Sequence, residues 1–96
     1  MSQAISRITD LTAGHCFEPH SPDNGLSSTV FANGLAIVLV GTHFPVHTCG
    51  NQHHDATQSQ GSSTVFIEGK AVGRVGDQQD CGDVLAQGSS NIFCGG

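Results

Sequence analysis

One five-residue string occurs twice unchanged in this chain and a third time in altered form. Ser27-Ser28-Thr29-Val30-Phe31 recurs as Ser62-Ser63-Thr64-Val65-Phe66, and Ser89-Ser90-Asn91-Ile92-Phe93 lies near the end. After the first two copies a glycine follows three residues beyond the Phe, at Gly34 and Gly69, and small apolar residues then run to Val40-Gly41 or Val75-Gly76. The third copy stops at Gly96 and reads as truncated. A repeat of this kind means one supersecondary unit used several times, each burying a face against the others.

The unit reads as a β-hairpin. Thr-Val-Phe is β-branched and aromatic, as strands prefer. Asn33-Gly34 suits a two-residue hairpin turn because both residues tolerate positive φ, and Glu68-Gly69 is its weaker counterpart. The return strands are then Leu35 to Val40 and Lys70 to Val75. In copy two, Ala71, Gly73 and Val75 should face one way, with Val72 and Arg74 facing the other. Copy one is apolar on both faces, so it should be the more buried. No stretch holds a helical period; Ile5, Ile8 and Leu11 fit one short turn or an extended segment. Thr42 to Gln60, rich in His and Gln, reads as a long ordered loop that needs an anchor. The expectation is one all-β domain over residues 1–96.

Composition narrows the function. Thirteen glycines in 96 residues, well above the roughly 7% usual, favour turns. A domain of this size often needs a metal, a disulfide or a partner. The net charge is −5, and Arg7, Lys70 and Arg74 are the only Lys or Arg, too few for the basic stripe of a nucleic-acid binder. The best apolar run, Leu35 to Val40, is far short of a membrane span. Met1 to Asp10 has no apolar signal core. Folding in the cytoplasm is therefore expected, with cysteines reduced unless they hold metal.

Six histidines and four cysteines lie mostly outside the repeats: His15, Cys16, His20, His43, His47, Cys49, His53, His54, Cys81 and Cys94. Imidazole with thiolate is the donor chemistry of structural zinc. His47-x-Cys49 resembles a chelate, and His53-His54 follow closely. The rival uses are a disulfide scaffold and a Cys–His catalytic pair, although a core this small leaves little room for a substrate pocket.

Taken in order, Gly14-His15, the paired Ser-Ser-Thr-Val-Phe-x-x-Gly units, Val75-Gly76-Asp77, Cys81-Gly82 and Gly88-Ser89-Ser90-Asn91-Ile92-Phe93 resemble the PAAR-repeat proteins over nearly the whole chain. These are the tips of contractile injection machines, on type VI secretion and phage tail spikes; the chain looks most like the stand-alone tips of T4-like phages. The Pro-Ala-Ala-Arg of the family name reads Ala71-Val72-Gly73-Arg74 and Ala36-Ile37-Val38-Leu39 here. The first Gly-Asp has become Gly41-Thr42, which removes a turn-capping acceptor.

The resemblance implies a small cone of short strands and hairpins with pseudo-threefold repeats and long zinc-stapled loops. It implies one structural Zn2+ (or iron) held by His15, His47, His54 and Cys81. His53 is the chief competitor of His54, Cys16 and Cys49 come next, and Cys94 should be a buried or edge thiol. It implies a non-enzymatic tip, one monomer per trimeric β-helical spike, carried at the end of the tail central spike in the virion and meeting the target cell outer membrane on contraction. Ser27, Val30, Phe31, Ser62, Val65, Phe66, Ser89, Ile92 and Phe93 would form the spike-binding repeat edges, with the three Phe rings either inside the domain or on the spike-facing surface. A small zinc metalloenzyme and a disulfide-linked secreted binding module are the alternatives.

Overall fold

In the computed structural model, residues 3–14 and 18–95 are described, and the only regular elements among them are strands. Eight strands pair into four antiparallel two-stranded ladders. Two are the expected hairpins: β2 (Phe31–Ala32) with β3 (Leu35–Ala36), and β6 (Phe66–Ile67) with β7 (Lys70–Ala71). Their turns have positive φ at both central residues, 54° and 77° at Asn33-Gly34 and 55° and 80° at Glu68-Gly69. This twist matches that of the flanking strands.

The third repeat is not truncated in space. Strand β8 (Phe93–Cys94) pairs with β1 (Gln3–Ala4), from the other end of the chain. Phe93 faces Ala4 as Phe31 faces Ala36 and Phe66 faces Ala71. Ala4-Ile5-Ser6-Arg7 is therefore the missing return strand, equivalent to Ala36-Ile37-Val38-Leu39 and Ala71-Val72-Gly73-Arg74. Of the two expectations for the N-terminal segment, the extended one is the one observed.

The three return segments close on one another cyclically. Bridges join Ile5 to Arg74, Val72 to Leu39 and Ile37 to Arg7. Ser6 N donates to Gly73 O, Gly73 N to Val38 O, and Val38 N to Ser6 O, at 3.1, 2.7 and 3.0 Å. A closed ring of this kind leaves no sheet edge open at the axis. Ile5, Ile37 and Val72 pack inside it with Ala32, Leu39 and Cys94.

The ring buries both faces of each return segment. Val72, Gly73 and Arg74 are all buried, so copy two, like copy one, is covered on both faces. Arg74 is tolerated because Asp77 takes its Nε and Nη2 at 2.9 and 3.0 Å; buried charges persist when paired in this way. Arg7 and Asp10 repeat the arrangement. Copy one has Leu39 and Thr42 instead, and Thr42 Oγ1 accepts the Leu39 N–H at 2.9 Å. The expected loss of a capping acceptor does not occur, because the hydroxyl serves where the other copies use a carboxylate.

Thr42 to Gln60 is not a loop. It carries the longest ladder, β4 (His43–Cys49) with β5 (Gln52–Thr57). Gly50, with φ of 60°, opens the connecting turn, as in a type II′ hairpin. Phe44 and Ala56 join Val38 and Leu85 in a second apolar cluster, which ties this hairpin to the ring.

Candidate metal centre

The hairpin β4–β5 owes its polar inner face to a bulge. Phe44 pairs with Ala56 and His47 with His54, so β4 spends three steps where β5 spends two. In an unbroken strand, residues three apart point to opposite faces. The extra residue, in the Pro45-Val46 stretch, restores them to one face, and both Phe44 and His47 are 0% exposed. Proline is tolerated in strands at bulges. His54, two residues from Ala56, shares that face, and its ring lies 4.5 Å from that of His47. His53, on the opposite face, is exposed.

Cys81 reaches the same place on a tight turn. Gly82, with φ of 93°, lets Gly82 N donate back to Gln79 O at 3.0 Å, while Gln79 N donates to Asp83 O at 2.8 Å. Asp80 fastens the turn to the end of β5: its N–H donates to Thr57 O and its Oδ1 accepts from Thr57 N, both at 3.0 Å. The ligand atoms of His47, His54 and Cys81 thus lie within 4.8 Å of one another. Two imidazoles and a thiol are the donors zinc prefers, so these residues fit a zinc ion. His47 Nδ1 lies 3.0 Å from Glu18 O. A carbonyl only accepts, so Nδ1 carries the hydrogen and Nε2 is left to ligate.

Of the four residues named from the sequence, these three come together and His15 lies outside the described residues. Cys49 is disulfide-bonded, contrary to the expectation of reduced thiols, and this removes it as a thiolate ligand. Cys81 and Cys94 are free, and Cys16 lies outside the described residues. Cys94 is a buried thiol in β8 whose pKa is pushed up by burial.

His20 is a further residue of this site, not among the ligands expected from the sequence. It is buried, stacks on His47 with ring centroids 4.0 Å apart and planes 7° from parallel, and contacts Phe44 at 5.2 Å. Thr12 anchors it, since Thr12 N donates to His20 O and Thr12 Oγ1 accepts the His20 N–H. A lone histidine in a Pro-rich loop carries no spacing signal that would have marked it.

The repeat edges divide into an inner and an outer set. Ser27, Ser62 and Ser89 are 4%, 2% and 3% exposed, so they do not offer a contact surface. Their hydroxyls bind backbone instead: Ser62 Oγ accepts from Thr64 and Val65 N, and Ser89 Oγ from Asn91 and Ile92 N. Each hairpin-turn position also reaches the serine loop of another copy. Glu68 takes the Ser28 and Thr29 N–H groups, Asn33 takes Ser89 Oγ, and Gly95 O takes Ser62 Oγ. The Thr29 hydroxyl, donating at 2.8 Å, and then the Ser28 N–H hold the Glu68 carboxyl below its usual range. Val65 and Ile92 are half-buried against the core. Outward stand Val30, Phe31, Phe66 and Phe93, at 43%, 54%, 58% and 53% exposure.

The PAAR motif matches residues 13–87 and, in a second placement, 59–96. The chain belongs to the PAAR motif family. The motif is known from spike-tip proteins of contractile injection systems, a structural family and not an enzymatic one. No curated protein matches the chain. Within the family's namesake segment, Arg7 and Arg74 are the two copies that keep the arginine, and each has its aspartate three residues on.

Proposed function

We propose that this PAAR motif protein caps the end of a trimeric β-helical spike as a single monomer, in the manner of T4-like phage tail tips, and sharpens it for piercing a target cell outer membrane. The observation that carries this reading is the trio Phe31, Phe66 and Phe93. They occupy equivalent positions in three cyclically related strand pairs, and each is more than half exposed. Three large apolar side chains held in water at threefold-related points are what a cap for three identical strand ends needs; an isolated monomer gains nothing from them. The return strands lead away from these strand pairs, and the segments beyond Gly41 and Gly76 carry the metal cluster. The cap end and the metal end are then different ends of the same three units.

One structural zinc ion, held by His15, His47, His54 and Cys81, would tie the β4–β5 hairpin to the Cys81 turn and stiffen the piercing end. With four protein ligands no position is left for a catalytic water. In the virion, the protein would sit at the end of the tail central spike.

The test is the mass of the complex with a trimeric β-helical spike end. One chain per trimer is expected, and three chains per trimer would overturn the capping role. The variants Phe31→Ala, Phe66→Ala and Phe93→Ala should each weaken the complex while melting within about 0.5 kcal/mol of the parent, as surface substitutions do. Exposure excludes the alternative of buried rings whose loss would unfold the domain.

A further inference from the structure

One buried polar atom beside the His47–His54–Cys81 group is not explained by it. Asp83 is 2% exposed. Its Oδ1 accepts the N–H groups of Gly14 and Val84 at 2.9 and 2.8 Å, but its Oδ2 has no hydrogen-bond partner. A buried carboxylate oxygen in that state calls for a cation. The facing group is His20, whose Nε2 lies 3.9 Å away.

The tautomer of His20 is set by its other nitrogen. Nδ1 lies 2.8 Å from Pro45 O, so in the neutral ring Nδ1 carries the hydrogen, and Nε2 bears a lone pair once the Gln79 amide turns to present its NH2 there in place of its Oε1. His47 is held in the same tautomer by Glu18 O. The ligand atoms of His20, His47 and Asp83 lie within 4.8 Å of one another, and all three residues are buried.

We propose that His20, His47 and Asp83 form a second cation-binding set, alternative to His47, His54 and Cys81 and sharing His47 with it. The inference does not rest on the spike-tip reading. His47 can ligate only through Nε2, since Nδ1 faces Glu18 O, so an ion it holds completes its shell on the thiolate side or on the carboxylate side. The two rings stack 4.0 Å apart and 7° from parallel, so their in-plane lone pairs do not meet at one point. Using both therefore requires His20 to tilt about its bond to Pro45 O. Gln79 is the neighbour that must yield: its Oε1 lies 3.2 Å from His20 Nε2, and its own Nε2 has no hydrogen-bond partner. Two imidazoles and a carboxylate form a harder donor set than two imidazoles and a thiolate, and suit divalent zinc, cobalt or ferrous iron. The pocket therefore keeps an ion when Cys81 is oxidised or alkylated. The rival occupant is a proton on His20 Nε2, which would pair with Asp83 but has no use for added metal.

The experiment is cobalt titration of the full-length Cys81→Ser variant, followed by absorption and competed with zinc. One equivalent should bind without a thiolate charge-transfer band, about 10–100-fold more weakly than in the parent. Adding His20→Phe, which keeps the ring stacked on His47, or Asp83→Asn, which keeps the shape, should weaken it again by at least ~10-fold. Either change in the parent should leave the thiolate band in place. If Cys81→Ser does not fold, folded parent alkylated at Cys81 serves in its place. Failure of the Cys81-blocked protein to bind cobalt, or indifference to His20→Phe and Asp83→Asn in that background, would overturn the proposal. A parent that binds cobalt with no thiolate band would instead overturn the Cys81 set.

Discussion

His54 lies directly across the β4–β5 ladder from His47, while His53 lies across from Thr48. Strand geometry sends neighbours to opposite faces, so only one of the adjacent pair His53-His54 can look inward, and it is the half-buried His54. His54→Ala should therefore lower zinc affinity by at least about tenfold, or ~1.4 kcal/mol, while His53→Ala should leave it within twofold to threefold. Zinc competition titrations on the two variants measure this. Equal losses would mean that the ladder register is different in solution.

The buried pair Arg74–Asp77 and its counterpart Leu39–Thr42 solve the same problem with different chemistry. In both, the side chain three residues on accepts a backbone N–H, at 2.9 Å in each case. Arg74→Leu alone leaves the Asp77 carboxylate buried without its cation and should cost about 3 kcal/mol. Arg74→Leu with Asp77→Thr imports the solution of copy one and should return to within about 1 kcal/mol of the parent, because well-packed apolar replacements of buried ion pairs are often neutral. Arg74 Nη1 also holds Gly95 O at 3.1 Å, and any remaining deficit belongs to that bond. Urea melts of the parent and the two variants decide it.

What could be read from the chain was whatever a short window contains. Asn33-Gly34 and Glu68-Gly69 declare their turns because positive φ restricts residue type. The repeated serines and phenylalanines announce equivalent units, and the closing copy looked incomplete only because its partner strand is separated from it by most of the chain. Ala4-Ile5-Ser6-Arg7, with Asp10, has the same pattern as Ala71-Val72-Gly73-Arg74 with Asp77. Comparing the two ends would have found it. The β4–β5 hairpin was hidden for another reason. Its strands are written in His, Gln, Asp and Pro, and the bulge breaks the alternation by which strands are recognised. The grouping of His47, His54 and Cys81 was named through resemblance, whereas His20 and Asp83 enter the site through tertiary packing alone.

His43 should make stability pH-dependent above the carboxylate range. Its Nδ1 lies 2.7 Å from Asp23 and its Nε2 2.9 Å from Asp55, and both nitrogens can donate only when the ring is charged. The hydrogen bond to Asp55, then that to Asp23, raises the His43 pKa above its usual 6.5, and His43 in turn lowers the pKa of Asp55. A raised folded-state pKa gives stability that is fully present below the unfolded value and lost as pH rises through the folded one. The groups are exposed, so the effect is small and salt-sensitive. The melting temperature of the parent should exceed that of His43→Gln most near pH 5–6 on the ordinary imidazole scale, and the gap should close towards pH 9. A gap that widens with rising pH would contradict the clamp.

At the centre of the hydrogen-bonded ring, the three equivalent positions are Ser6, Val38 and Gly73. Their main chains donate to one another in a closed cycle, which brings Val38 against the bare backbone of Gly73. There is room for one branched side chain there, and Val38 has taken it. A Cβ on Gly73 would meet Val38 Cγ1 at 2.8 Å, Val38 O at 3.2 Å and Leu85 Cδ1 at 3.2 Å. Neither Val38 nor Leu85 can withdraw, since they are 0% and 1% exposed. Gly73→Ala should therefore destabilise the fold by about 1–3 kcal/mol through overpacking. Val38→Ala should destabilise it by a comparable amount through the cavity it leaves. The two changes compensate in volume at one point, so the double variant should be more stable than the sum of the single losses by at least ~1 kcal/mol, a coupling expected only of residues in contact. The measurement is a double-mutant cycle by denaturant unfolding. Simple additivity would mean that positions 38 and 73 do not meet, and the threefold ring, on which the equivalence of the three phenylalanine strand pairs depends, would fall with it.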